Sequence, residues 1–247
     1  MSGTRRVIEV RGRPASFREA GAGTPAIIVA GLGLSSRFYE NSYAAFADAG
    51  IRLLVPDLPG WGSTPGPRTG LSPRDTASFL FDFARTLGIR RGVWIGHSLG
   101  AQAVVELAVR RPDRVRGIVL VGPTGAPGRR ELWRQAWGLV VEASRTSLHV
   151  IRGVARDYIR TPPQRYVGTW LRHSNHDLLD RLPLVHCPAL VLAGDADPVC
   201  RPAFIELLRH RIPAARVQWV RGGTHALPRG HAPAFNRETI AFIHEVK

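Results

Sequence analysis

The stretch "GVWIGHSLGAQAVVELAVRR", residues 92–111, changes its hydrophobic period in the middle, and few folds accommodate that change. "GVWIG" is short, apolar and rich in strand formers, whereas Val104, Val105, Leu107 and Ala108 recur behind it at helical spacing. The switch falls within Gly96-His97-Ser98-Leu99-Gly100. A turn this tight drives its central residue into a strained backbone region. Strand and helix also approach so closely that the positions two residues to either side must lack bulk. The serine hydroxyl is then left above the carboxyl edge of a strand, at the first turn of a helix. Unpaired backbone N–H groups there stabilise negative charge.

The same alternation of strand and helix extends along the chain. "RRVIEV" and "ASFREAG" read as a hairpin, and "AIIVAGLG" as a buried strand running into a glycine loop. "IRLLVPDLPGWGST" is a further strand and loop. The next segment, "SPRDTASFLFDFARTLG", starts a helix with Ser72 as cap, Pro73 at the first position and Asp75 three residues after the cap; Gly88 stops it. "RGIVLVGPTG", "CPALVLAGDADP" and "ARVQWV" are later strands, and "PAFNRETIAFIHEV" is a closing helix. Alternating elements of this kind predict an α/β fold with a parallel sheet covered by helices on both faces, and functional groups beyond the carboxyl ends of the strands.

Composition narrows the function classes. The 247 residues suffice for one α/β domain with a substantial core. The formal charge of +15 invites a nucleic-acid reading, but Lys247 is the only lysine, and the arginines scatter from Arg5 to Arg237 without a binding motif. No nucleic-acid partner is expected. No run of about 18 apolar residues and no apolar leader core is present, so a soluble cytoplasmic protein without membrane association is expected. Cys187 and Cys200 imply no disulfide framework and no metal site, and read as packing thiols. Nothing in the sequence sets an oligomeric state.

A serine hydroxyl needs a base to act as nucleophile, and the base needs an acid to orient it. Three strand ends supply candidates: Ser98, then Asp195 or Asp197 in "LAGDADPV", then His225 in "VRGGTHALP", with His231 as a rival base. In these residues and their order, the chain resembles the α/β-hydrolase family over nearly its whole length, least well between 124 and 184. The resemblance implies a mostly parallel eight-stranded sheet with flanking helices, residues 1–123 and 185–247, and a helical cap, residues 124–184, inserted after the sixth strand. It selects Asp197, which stands in the family's Gly-x-x-acid spacing from Gly194, and gives a triad of Ser98, Asp197 and His225. The backbone N–H following the nucleophile, at Leu99, is one oxyanion donor. The resemblance places the second at Leu32, next to Gly31 in "VAGLGLS", where Ala30 replaces the family's histidine. It also makes Asp57 a turn anchor.

Between "GPTGAPG" and "RLPLVHCPAL" strand patterning gives way to helix-like stretches interrupted by Pro162 and Pro163. Such an insert is expected to fold over the carboxyl edge of the sheet. Gly31, Trp61, Trp133, Trp137 and Trp170 are the candidate pocket residues. Alternatively Trp61 packs at the surface, and the cap tryptophans, with Tyr158 and Tyr166, pack only the cap's own core. Nine arginines (129, 130, 134, 145, 152, 156, 160, 165, 172) against Glu131, Glu142 and Asp157 make the insert basic, which suits a carboxylate-bearing small-molecule substrate. The expected activity is hydrolysis of a small to medium ester, thioester or lactone through an acyl-enzyme, with no metal or organic cofactor. Hydrolysis of a carbon–carbon bond in a ring-cleavage product by the same triad, and ligand binding without catalysis, are the alternatives.

Overall fold

The computed structural model describes residues 3–125, 129–145, 158–159 and 161–247. Strands β1 (Thr4–Val10) and β2 (Arg13–Ala20) form the expected hairpin, followed by β3 (Thr24–Val29), helix α1 (Tyr43–Asp48) and β4 (Ile51–Pro56). Helix α2 (Pro73–Thr86) leads to β5 (Gly92–His97), α3 (Gly100–Arg110) and β6 (Val115–Val121). After β6 come α4 (Arg129–Arg145), α5 (Pro163–Ser174) and α6 (Leu178–Arg181). The chain then re-enters the sheet through β7 (Ala189–Gly194), α7 (Pro202–Arg211), β8 (Ala215–Val220), α8 (Leu227–Gly230) and α9 (Ala232–Glu245).

The eight strands form one sheet in the order β1-β2-β4-β3-β5-β6-β7-β8, antiparallel at β1–β2 and β2–β4 and parallel elsewhere. Both faces are covered, so the central strands are apolar throughout, as the short unbroken runs in the sequence require. Alternate residues of β3 enter different layers: Ile27 and Val29 join Phe83, Val104 and Leu80 on one face, and Ala26 and Ile28 join Phe46, Phe235 and Phe242 on the other. Helix α2 begins with the capping box read from the sequence, Ser72 and Asp75 exchanging hydrogen bonds.

The position of the site follows from the strand order. β4 lies on one side of β3, and the chain then crosses to place β5 on the other side. The carboxyl ends of β3 and β5 therefore carry their loops away from each other and leave a crevice between them. Gly100 sits so close to β3 that a Cβ on it would overlap the Val29 carbonyl oxygen, and a Cβ on Gly96 would come within 2.5 Å of the Ala101 Cα. These are the two positions at which the sequence demanded no side chain. Gly100→Ala is expected to lower Tm by roughly 3–10 °C, because the overlapping atom is backbone and cannot rotate away. Gly230→Ala, with open space around it, is expected to leave Tm within about 1 °C. Thermal denaturation followed by circular dichroism measures both.

Candidate active site

Ser98 lies at the bend between β5 and α3 with φ at 54°, and Arg11 is the other described non-glycine residue with positive φ. The strain turns its side chain out of the elbow toward the loop after β8. There His225 Nε2 lies 2.9 Å from Ser98 Oγ, and His225 Nδ1 lies 2.9 Å from Asp197 Oδ2 in the loop after β7. Three strand ends thus bring one hydroxyl, one imidazole and one carboxylate into a continuous hydrogen-bonded line. Asp195, two residues away, instead accepts the Gly222 N–H, and His231 caps the start of α9 away from the line.

Each member is braced. The second Asp197 oxygen accepts the N–H groups of Val199 and Cys200 at 2.7 and 3.0 Å. Gly122, at φ 47°, leaves the space that a Cβ would take, 3.2 Å from both Asp197 Oδ2 and His225 Nδ1. Burial opposes the negative charge of Asp197, but the His225 imidazole and these two N–H groups outweigh it and lower its pKa. Burial likewise opposes charge on His225. Asp197 outweighs it by charge and hydrogen bond, Glu142 adds to it, and the pKa of His225 is raised.

Two supports were not legible in the sequence. His97, next to Ser98, places Nε2 3.0 Å from the His225 carbonyl oxygen and Nδ1 3.0 Å from the Tyr39 hydroxyl. The carbonyl can only accept, so Nε2 carries the proton and Nδ1 accepts from Tyr39. Burial pushes the His97 imidazole down to about 3, and the neighbouring His225 adds to the effect, so His97 stays neutral. The second support is Glu142 of α4, which accepts the Ala226 N–H at 3.0 Å and fixes the loop immediately after His225.

Gly31, Leu32 and Leu99 border a small cavity next to Ser98, and a Cβ on Gly31 would come within 3.1 Å of Ser98 Cβ. Among the described residues, the N–H groups of Leu32 and Leu99 have no protein acceptor. Trp61 is buried, lines this cavity and packs edge-on against Tyr166. Asp57 accepts from the N–H groups of Ser36 and Ser63, the anchoring arrangement expected of it.

The tryptophans of α4 lie elsewhere than the pocket expectation placed them. Trp133 and Trp137 are 72% and 69% exposed, because α4 turns Glu131, Gln135 and Glu142 toward the protein instead. Trp170 is half-buried, edge-on to Trp133 and outside the cavity lining. Arg165 donates to the carbonyls of Gly60, Gly66 and Pro67, Arg172 to Thr69 Oγ1, and Arg134 lies 3.9 Å from Glu131. Arg165 and Arg172 tie the insert to the loop after β4, whereas the Arg134 pair lies within α4. Arg152, Arg156, Asp157 and Arg160 lie outside the described residues, as do the side chains of Arg129, Arg130 and Arg145. Among the described residues, no cluster of three metal-ligating side chains forms and no helix is long and apolar enough to cross a membrane.

The profile of the alpha/beta hydrolase family matches residues 26–238. The chain belongs to that family. This α/β-hydrolase superposes on the enol-lactonase of Burkholderia xenovorans with a TM-score of 0.85 at 21% identity, over 97% of this chain and 100% of that one. It superposes equally on a thermophilic esterase from Thermogutta terrifontis, TM-score 0.85 and 21% identity, over 98% and 99% of the two chains. In sequence it is 36% identical over 124 residues to a 2-hydroxy-6-oxononadienedioate/2-hydroxy-6-oxononatrienedioate hydrolase of Paraburkholderia phymatum. That stretch is 46% of this chain and 41% of the relative, so it spans less than half of the protein it matches.

The paired shifts at His225 and Asp197 are open to direct measurement. By proton–nitrogen NMR of the imidazoles, His225 is expected to titrate above the ordinary value of about 6.5, and His97 to remain neutral down to about pH 4. In Asp197→Asn the His225 midpoint is expected to fall below that of the parent. A raised folded-state value stabilises the protein fully below the ordinary histidine range, and the contribution is lost as pH rises through the raised midpoint.

Proposed function

We propose that this α/β-hydrolase is a serine hydrolase that cleaves a small carboxylic ester, thioester or lactone through an acyl-enzyme. The observation that carries this reading is the unbroken line Ser98 Oγ, His225 Nε2, His225 Nδ1, Asp197 Oδ2. Ser98 attacks the substrate carbonyl as His225 takes its proton, and Asp197 holds the resulting imidazolium in its tautomer and orientation. The N–H groups of Leu32 and Leu99 receive the developing oxyanion. His225 then protonates the leaving atom and, as base, activates the water that releases the acid. The described helices of the insert, α4 to α6, serve as a cap over the crevice. Only neutral His225 can accept the serine proton, so kcat/KM is expected to rise with pH through its raised midpoint.

Labelling with a fluorophosphonate, which reacts with activated serines, tests the nucleophile. Ser98→Ala is expected to abolish labelling and to lower turnover of p-nitrophenyl butyrate by about 10⁴ to 10⁶ while the circular dichroism spectrum is retained. Undiminished labelling at another serine overturns the assignment. Asp197→Asn is expected to be severe and Asp195→Asn mild, because Asp195 meets a turn amide and not the imidazole.

A second reading rests on the relative named as a 2-hydroxy-6-oxononadienedioate/2-hydroxy-6-oxononatrienedioate hydrolase. The same line of residues polarises a ketone as readily as an ester carbonyl, with carbon as the leaving atom. Turnover of a vinylogous β-diketone at least about tenfold faster than of p-nitrophenyl esters, measured as kcat/KM, favours it; the reverse order favours the ester reading.

A further inference from the structure

The cavity bordered by Leu32 and Leu99 has a volume of about 20 Å³, room for a group about the size of one water. Most of its lining is apolar, Leu58, Trp61 and Ala103 included; the polar side chains are Thr76, whose hydroxyl donates to the Ser72 carbonyl, Thr169 and His173. Thr169 and His173 stand one turn apart on α5, on the same face, and both line the cavity while only 5% and 6% exposed. Among the described residues, neither Thr169 Oγ1 nor His173 Nδ1 has a hydrogen-bond partner. The Thr169 hydroxyl has its place because Gly70, at φ 70°, carries no side chain; a Cβ there would overlap Oγ1. Two residues that line one small cavity, each with a buried polar atom that has no partner among the described residues, mark a place where a partner arrives from outside.

The chemistry of that partner follows from charge. Burial pushes the His173 imidazole down to about 3, with His176 adding to the effect, so His173 is neutral at ordinary pH. No charged side chain lines the cavity. A carboxylate entering it would lose its hydration with no opposite charge to replace it, whereas a neutral hydroxyl or carbonyl meets a hydroxyl and an imidazole that can each give or take a hydrogen bond. Position selects the part of the substrate concerned. His225, which must protonate the leaving atom, does not line this cavity, while Leu32 and Leu99, the oxyanion donors of the proposed reaction, do. The group seated here is therefore on the acyl side, which stays attached to Ser98 after the leaving group has gone.

We propose that the acyl arm of the substrate is short and carries a neutral hydroxyl or carbonyl group, read in this cavity by Thr169 Oγ1 and His173 Nδ1. The proposal rests on the serine hydrolase reading above and names its specificity. It replaces the carboxylate-bearing substrate suggested by the arginines of the insert with a neutral, hydrogen-bonding one.

The test holds the leaving group constant and compares p-nitrophenyl 3-hydroxybutyrate with p-nitrophenyl butyrate by the ratio of their kcat/KM values. The parent enzyme is expected to favour the hydroxylated ester. Thr169→Val and His173→Phe are each expected to lower the ratio about tenfold, the loss of one hydrogen bond to a buried group. Thr169→Ser, which keeps the hydroxyl, is expected to restore it. Fluorophosphonate labelling of Ser98 in each variant reports that the site is folded. A parent that favours butyrate, or a ratio unchanged in both labelled variants, overturns the subsite and leaves the serine hydrolase reading standing. If neither ester shows hydrolysis that depends on Ser98, both fail together.

Discussion

The backbone at Ser98 is the constraint around which the rest of the molecule is arranged. A non-glycine residue at φ 54° is strained, and such a conformation persists only where the surroundings overdetermine it. Here they do. β5 is a central strand with parallel neighbours on both sides, α3 packs back on the sheet, and glycines at 96 and 100 let strand and helix approach to backbone contact. The fold spends a small amount of its stability on this one residue, and the hydroxyl gains an orientation that no relaxed turn would give it.

The same region shows how three separate loops are held to a common geometry. His97 is neutral, fully enclosed and hydrogen-bonded at both ring nitrogens, and through them it joins Tyr39, in the segment after β3, to the His225 carbonyl. The loop after β3, the elbow after β5 and the loop after β8 are therefore linked by one side chain. The family's usual histidine next to Gly31 is Ala30 in this chain, and the Tyr39–His97 link supplies a different brace for the loop it would have held. Asp197 and Glu142 secure the remaining sides of His225 by accepting backbone N–H groups, so the imidazole is oriented from the loops before and after it.

Much of the fold was legible because it is local. The period switch at Gly96-Gly100, the capping box at Ser72 and Asp75, and the apolar runs of β3, β6 and β7 are all read from adjacent residues. That Ser98, Asp197 and His225 meet was legible because each follows an apolar strand, and a parallel sheet gathers its strand ends at one edge. Glu142 and Ala226 are 84 residues apart, and Tyr39 and His97 are 58 apart; nothing in either neighbourhood announces the other. Trp133 and Trp137 misled for a physical reason. Hydrophobic residues on a helix ordinarily mark its inner face, but in α4 the inward positions 131 and 142 are acids with partners on distant elements: Arg201 for Glu131 and the Ala226 N–H for Glu142.

That inversion gives the insert an unusual thermodynamic character. Helix α4 is seated largely through acids and hydrogen bonds, and Glu106, wholly buried in α3, holds His176 and Arg181 from the other end of the insert in the same way. Heat-capacity change measures the apolar surface that a transition exposes. Breaking these polar contacts of Glu131, Glu142 and Glu106 would therefore add less to the heat-capacity change of unfolding than separating the apolar layers on either face of the sheet.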